Sequence, residues 1–317
     1  MGDKDIIRTG LFIGGASRDT VEHLEIADPA KRGEVVGYAA AATKQNVDYA
    51  ISVAKNAFPS WSSMSAVERA DLMSEAIQGI AEARDDDAAI LSRENGKVRF
   101  EGWIDSLVFE IRWNLALMIA DQVDTGKTLP VAPGIPVSTE VQHQPLGVVT
   151  IIVPFNWPIA ILGAALPHAL LAGNTVIVKP PLTAPLATTR VIERIAAKLP
   201  AGVLNVVTGA GGEVGDALVR DPRVRKVSFT GSTAVGEHIA SIAGIKKLSL
   251  ELGASGPVIV LDDADIEAAA HSISLGGYIN AGQVCISAQR IIVAESIVIL
   301  GPIFHLGWFS ACAGVID

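Results

Sequence analysis

Cysteine is scarce in these 317 residues: Cys285 and Cys312 are the only two. Two cysteines make no disulfide framework, and neither a CxxC nor an HExxH spacing occurs, so nothing points to an oxidising compartment or a zinc centre. No metal site is expected. Blocks of Lys or Arg are missing as well, and with a formal net charge of -9 this argues against nucleic acid or an anionic membrane as the main partner. The amino terminus, MGDKDIIRTG, lacks a basic-then-apolar leader, so a cytoplasmic protein is expected. Small-molecule chemistry is the class that remains.

With 50% hydrophobic and 19% charged residues, the chain can bury a sizeable core in two domains, or in one domain with a long insertion. Two apolar runs need separate readings. Ser296 to Ile316, SIVILGPIFHLGWFSACAGVI, carries no Asp, Glu, Lys or Arg and is long enough to span a bilayer. Val148 to Ala172 is equally apolar, but Pro154, Asn156, Pro158, Pro167 and His168 interrupt it, which predicts a buried strand, turn and helix.

From about Thr43 to Ala120, apolar residues recur at three-to-four spacing, which predicts three or more successive helices. Residues 124–145 turn to Pro and Gly with some alternation, as in an extended excursion or hairpin. After Gly147, β-branched runs such as GVVTIIV, NTVIVK, GVLNVVT, VRKVSFT and KKLSLEL alternate with helical stretches. This rhythm predicts an α/β fold, a doubly wound parallel sheet that binds ligands at the carboxyl ends of its strands.

Strand ends therefore supply the candidates, and each also has a plain structural reading. GAGGEVG at 209–215 is close to a dinucleotide fingerprint, but its last glycine is one position late and no acidic residue clearly ends the next strand. The plainer reading is an ordinary tight turn. In FTGSTAVGEHIA, Gly231 and Ser232 lead into a helix whose first amides could hold a pyrophosphate, or Ser232 could simply cap it. Lys179 ends a strand before two prolines, placed for ribose or phosphate, or solvated like most lysines. In VPFNWP, Asn156 could donate its amide to a developing oxyanion, or sit in a turn before a helix. Glu251 follows an apolar run and precedes Leu252 and Gly253; a buried carboxylate there would be a general base or half of an ion pair. Cys285, in NAGQVCISAQR, is a nucleophile or a small core residue, with polar Asn280 and Gln283 nearby.

Together PFNWP, the lysine of VIVKP, FTGSTAVG, LELG and GQVC, in that order, resemble the NAD(P)-dependent aldehyde dehydrogenase superfamily over about residues 6–296. The resemblance implies a parallel Rossmann-like cofactor-binding sheet with flanking helices, plus the start of a truncated α/β catalytic domain. It implies Cys285 as nucleophile, Glu251 as general base and Asn156 as the oxyanion-hole side chain. It assigns the cofactor, NAD or NADP, to Pro154, Phe155, Trp157, Lys179, Gly231, Ser232, Leu252 and Gly253, and sets the GAGGEVG turn aside. The implied reaction oxidises a small-molecule aldehyde to a carboxylic acid through a thiohemiacetal and a thioester on Cys285. The implied layout is a cofactor domain from 1–123 and 146–250, an oligomerisation or bridging segment at 124–145, and a catalytic domain beginning at 251–296.

Departures from the family carry their own expectations. Leu182 stands where many NAD-preferring members have a glutamate for the ribose 2'-hydroxyl, so a 2'-phosphate is not repelled. Ala254 and Ser255 replace the Gly-Lys or Gly-Asn often found after LELG. Residues 297–317 resemble nothing in the family and are expected to be an aberrant apolar tail from a shifted reading frame rather than a membrane anchor. The family is homo-oligomeric, and its C-terminal strand is not recognised here. The alternative to an active dehydrogenase is a catalytically inactive fragment that at most binds nucleotide. A Cys-His hydrolase with His271 or His168 as base is a third reading.

Overall fold

In the computed structural model, which describes residues 6–129, 139–298 and 313–316, the backbone divides into two compact units, Met1–Glu251 and Leu252–Asp317. The first begins with five short strands, β1 (Ile7–Thr9), β2 (Leu11–Ile13), β3 (Ala16–Arg18), β4 (His23–Ala27) and β5 (Val35–Ala40). Strands β1, β5 and β4 form a small sheet of their own. The helical periodicity after Thr43 becomes α1 (Lys44–Ser62), α2 (Ala66–Ile77), α3 (Ile80–Asn95), α4 (Arg99–Leu117) and the short α5 (Ala120–Val123). Capping boxes start two of them: Thr43 with Asn46 at α1, and Ser65 with Glu68 at α2, each side chain bonding the other residue's backbone amide. In the Pro/Gly-rich stretch, β6 (Lys127–Leu129) and β7 (Thr139–Val141) pair antiparallel; residues 130–138 lie outside the described residues.

The strand-helix rhythm then yields β8 (Val148–Ile152), α6 (Pro158–Leu171), β9 (Thr175–Lys179), α7 (Leu186–Ala196), β10 (Leu204–Val206), α8 (Asp216–Arg220), β11 (Val224–Thr230), α9 (Thr233–Ile242) and β12 (Lys247–Glu251). They assemble with the first hairpin into a seven-stranded sheet of order β12-β11-β8-β9-β10-β2-β3. The five strands from β12 to β10 are parallel, and β2 joins antiparallel to β10. Every residue of β8 and β9 is buried, as continuous β-branched runs in a parallel sheet covered by helices should be. The core beneath α6 gathers Trp61, Phe109 and Trp113 with Val149, Ile151, Ile159 and Leu162. Both indoles satisfy their N–H groups there, Trp61 on the Leu170 carbonyl at 3.0 Å and Trp113 on the Met73 carbonyl at 3.1 Å.

The chain lays β9 and β10 to one side of β8, then returns to place β11 and β12 on the other. Strand order thus reverses between β8 and β11. Such a reversal is the place where doubly wound sheets bind ligands, beyond the carboxyl ends of the strands.

The second unit contains β13 (Gly256–Val260), α10 (Ile266–Tyr278), β14 (Ala288–Ala294) and β15 (Ala313–Ile316), with the strands parallel in the order β13-β14-β15. Asp265 caps α10 through the amide of Ala268 at 3.0 Å. Val260, Ile273, Ile291, Val293 and Ile297 form its small core. The segment expected to be an aberrant tail falls for the most part, at 299–312 and 317, outside the described residues. Among the described residues no helix is long and apolar enough to cross a membrane.

Candidate functional site

Four adjacent strands of the first unit end on, or lead directly into, a residue singled out in the sequence. β8 runs into the PFNWP turn, β9 ends on Lys179, β11 leads into Gly231 and Ser232, and β12 ends on Glu251. The sheet therefore brings Asn156, Lys179, Ser232 and Glu251 to one edge. Cys285, Leu252 and Gly253 belong to the second unit.

Lys179 is buried to 5% exposure, and the stem of its side chain lies against Gly215, 3.9 Å from where a Cβ there would sit. Its ammonium donates to the Pro180 carbonyl at 3.3 Å, and among the described residues no carboxylate pairs with it. Burial alone pushes its pKa down to about 8. Of its two readings the solvated one fails, since the side chain is buried between the Pro180 carbonyl and the glycine turn. GAGGEVG itself folds as a wide helical turn over Gly211–Gly215 that leads into α8. The glycine-rich stretch set aside in the sequence is thus a neighbour of the lysine.

At the β11 exit, Gly231 has its place dictated by Phe229: a Cβ would meet the ring at 2.4 Å. Its amide donates to the Glu251 carbonyl at 3.0 Å, tying the ends of β11 and β12 together. Ser232 takes the capping role, its hydroxyl accepting from the Val235 amide at 3.4 Å. The amides of Thr233 and Ala234, in the exposed first turn of α9, have no protein acceptor among the described residues. A buried ammonium and the open amino end of a helix are a fitting donor set for the ribose and phosphates of a dinucleotide.

Glu251 differs from expectation. It lies exposed at the end of β12, so the burial inferred from the apolar run KKLSL is not there. A groove of about 470 Å³ between α6 and strands β8, β11 and β12 reaches Glu251 at one end and His143, Lys226 and Lys247 at the other. His168 lines this groove from α6, and partial burial lowers its pKa.

The PFNWP turn is held by residues the sequence reading passed over. Helix α3 stops at Gly96, whose φ of +85° suits glycine and turns the chain inward. Lys97 is thereby buried, with its ammonium 3.0 Å from Asp105 of α4, 2.6 Å from the Asn156 carbonyl and 4.0 Å from the centre of the Trp157 ring. Asn95 donates to the Phe155 carbonyl at 2.6 Å. Asp105, fully buried, accepts from the amides of Ile159 and Ala160 and so caps α6, which has no side-chain cap of its own. Burial drives both Lys97 and Asp105 toward their neutral forms, and their attraction opposes it. The one available signal was the helix end at Asn95-Gly96 followed by a lysine.

In the second unit Cys285 is exposed, so the reading of a small core residue fails. It follows three consecutive residues at positive φ: Asn280 (53°), Ala281 (55°) and Gly282 (74°). Asn280 is buried and its amide donates to the Gln283 carbonyl at 3.3 Å. Ser287 closes the turn after the thiol, through its amide to the Val284 carbonyl at 3.0 Å and its hydroxyl to the Gly277 carbonyl at 3.2 Å. The exposed thiol thus stands three residues after a left-handed stretch, in a turn held on both sides. Among the described residues no cluster of His, Cys, Asp and Glu could hold a metal ion.

Known proteins are similar to this chain over most of its length. The chain is 35% identical over 294 residues to the NADP-dependent glyceraldehyde-3-phosphate dehydrogenase of Streptococcus equinus, covering 90% of this chain and 61% of the relative. It is 36% identical over 300 residues to the D-glyceraldehyde dehydrogenase (NADP(+)) of Picrophilus torridus, covering 90% and 59%. The crystal structure of an NAD-dependent aldehyde dehydrogenase from Sinorhizobium meliloti superposes with a TM-score of 0.88 at 36% identity, covering 93% of this chain and 60% of that one. The chain thus spans about 60% of the length of the relatives it matches. The model of the aldehyde dehydrogenase family matches residues 16–299, and the chain belongs to that family.

Proposed function

We propose that the chain oxidises an aldehyde to a carboxylic acid with NADP, through a covalent intermediate on Cys285. The observation that carries this reading is the meeting of Asn156, Lys179, Ser232 and Glu251 at the carboxyl ends of four neighbouring strands, beside the reversal of strand order. Lys179 and the first turn of α9 would hold the dinucleotide. Leu182, 44% exposed, presents no carboxylate to a ribose 2'-phosphate, and both curated relatives above are named for NADP.

In the proposed reaction the Cys285 thiolate adds to the aldehyde carbon, forming a C–S bond and an alkoxide. Asn156 donates its amide to that oxygen and stabilises the developing charge, a contribution of about 3–4 kcal/mol in comparable sites. NADP, when bound, supplies the two-electron acceptor that converts the thiohemiacetal to a thioester. Glu251 then takes a proton from water, the resulting hydroxide attacks the thioester carbon, and the C–S bond breaks to release the acid and restore the thiolate. The exposure of Glu251 suits a base that must reach solvent water.

Mixing the chain with NADP or NAD and a panel of small aldehydes, while following absorbance of the reduced nicotinamide, tests the proposal. Steady turnover that disappears in Cys285→Ser is expected, with Glu251→Gln releasing at most one equivalent of reduced cofactor. Thermal stabilisation by NADP with no reduction by any aldehyde would instead identify a nucleotide-binding fragment.

A further inference from the structure

We propose that Lys97 is a positioning residue for the oxyanion side chain, acting through the backbone of Asn156; the inference rests on the role given to Asn156 above. The PFNWP turn and the first turn of α6 are gripped at four polar points by the α3–α4 junction and α4. Asn95 holds the Phe155 carbonyl, Lys97 holds the Asn156 carbonyl, and Asp105 holds the amides of Ile159 and Ala160. Lys97 and Asp105 are each buried, and their ammonium and carboxylate lie 3.0 Å apart.

Such an ion pair is an expensive way to cap a helix. A local Ser or Asp at position 157 would cap α6 without desolvating a lysine, and Trp157 stands there instead. What the pair adds is a fixed point on the carbonyl of Asn156 itself. Its direction is set from the junction of α3 and α4, through the pairing of Lys97 with Asp105, rather than by the PFNWP loop itself. A side chain that must meet an oxygen within a few tenths of an ångström gains from a backbone that cannot turn, since an error of 1 Å can cost a factor of about 100 in rate. Lys97 also stacks its charge on the Trp157 ring, which fixes the residue on the other side of Asn156. Lys97 touches neither substrate nor cofactor in this role, and it neither gives up nor takes a proton.

Lys97→Met removes the grip but leaves Asp105 buried and unpaired, and this single variant risks unfolding. Lys97→Met combined with Asp105→Asn removes both charges while an asparagine still caps α6, so the fold is kept. Two readouts apply to this double variant in the whole chain. The first needs no catalysis: the side-chain amide of Asn156, labelled with nitrogen-15 and assigned by its loss in Asn156→Ala, should give one sharp, dispersed pair of signals. In the double variant these signals should broaden or move toward those of a free amide. An unchanged pair would overturn the proposal even if the chain oxidised no aldehyde. The second is kinetic. The double variant should lower kcat by about tenfold to a hundredfold and leave the KM for NADP within about threefold. Adding Asn156→Ala to it should cost little more than Asn156→Ala alone; losses that multiply would show that Lys97 acts elsewhere, and would overturn the proposal.

Discussion

Replacing Lys179 with methionine should make the protein more stable and less able to bind its cofactor. The lysine is buried at the end of β9 with one carbonyl as partner, and its pKa is pushed down from 10.5 to about 8 by burial. A depression of about 2.5 units corresponds to a cost of about 3 kcal/mol whenever the group must carry its charge in the folded state. The sign follows from linkage. Between pH 8 and pH 10.5 the unfolded lysine holds a proton that the folded one has lost, so stability of the free protein rises with pH across that window. Below pH 8 the full cost is borne. Methionine fills a similar volume against Gly215 and carries no charge, but forfeits the bond to Pro180, worth about 1 kcal/mol. Lys179→Met should therefore gain about 2 kcal/mol at pH 7, a rise of about 4–8 °C in Tm for a chain of this size. The gain should shrink toward zero at pH 10. Saturating NADP should reverse the order, since a ligand at about 100 times its Kd adds about 2.7 kcal/mol to whichever protein binds it. Thermal melts at pH 7 and pH 10, with and without NADP, measure all four quantities. A variant that is less stable at pH 7 and still gains as much from NADP as the parent would refute the reasoning.

Other consequences are as direct. Glu94 is buried beneath α7, accepting from the amides of Leu186 at 2.7 Å and Ala187 at 2.8 Å, and burial pushes its pKa up to about 8. Its contribution is full below pH 4.5 and is lost as pH rises through 8, so the urea midpoint of the parent should fall across that range more steeply than that of Glu94→Gln. Ala281 holds a φ of +55° just before the thiol, at a cost of about 1 kcal/mol for a residue with a Cβ. Ala281→Gly should stabilise the second unit by about that amount, read as slower amide exchange over residues 286–294. Leu182→Glu should weaken NADP by about tenfold or more and strengthen NAD, as calorimetric titration would show; equal affinities in both proteins would detach position 182 from cofactor choice.

The parallel sheet and its edge were legible because the chemistry sits where the pattern ends. Lys179 closes a β-branched run, Ser232 opens a helix after one, and Asn156 stands between two prolines that interrupt another. The clamp on Asn156 was not legible for a physical reason. Lys97 comes from the short connection between α3 and α4 and Asp105 from α4, where periodicity predicts only packing, and the pair reaches the turn from 59 and 55 residues away along the chain. The first five strands escaped notice for a different reason. Each is three to six residues long, too short for alternation to register, and β3 and β4 are mostly exposed. At Glu251 the sequence misled, since the apolar neighbours Leu248 and Leu250 belong to a strand at the edge of the sheet.

The central claim is that Cys285 carries the acyl group. Chain mixed with aldehyde and NADP, quenched in acid within the first turnover and weighed intact, should gain the mass of the acyl group. The label should map to the peptide holding Cys285, persist in Glu251→Gln and be absent from Cys285→Ser. Reduced NADP formed with no mass gain, or a label that survives in Cys285→Ser, would contradict the account.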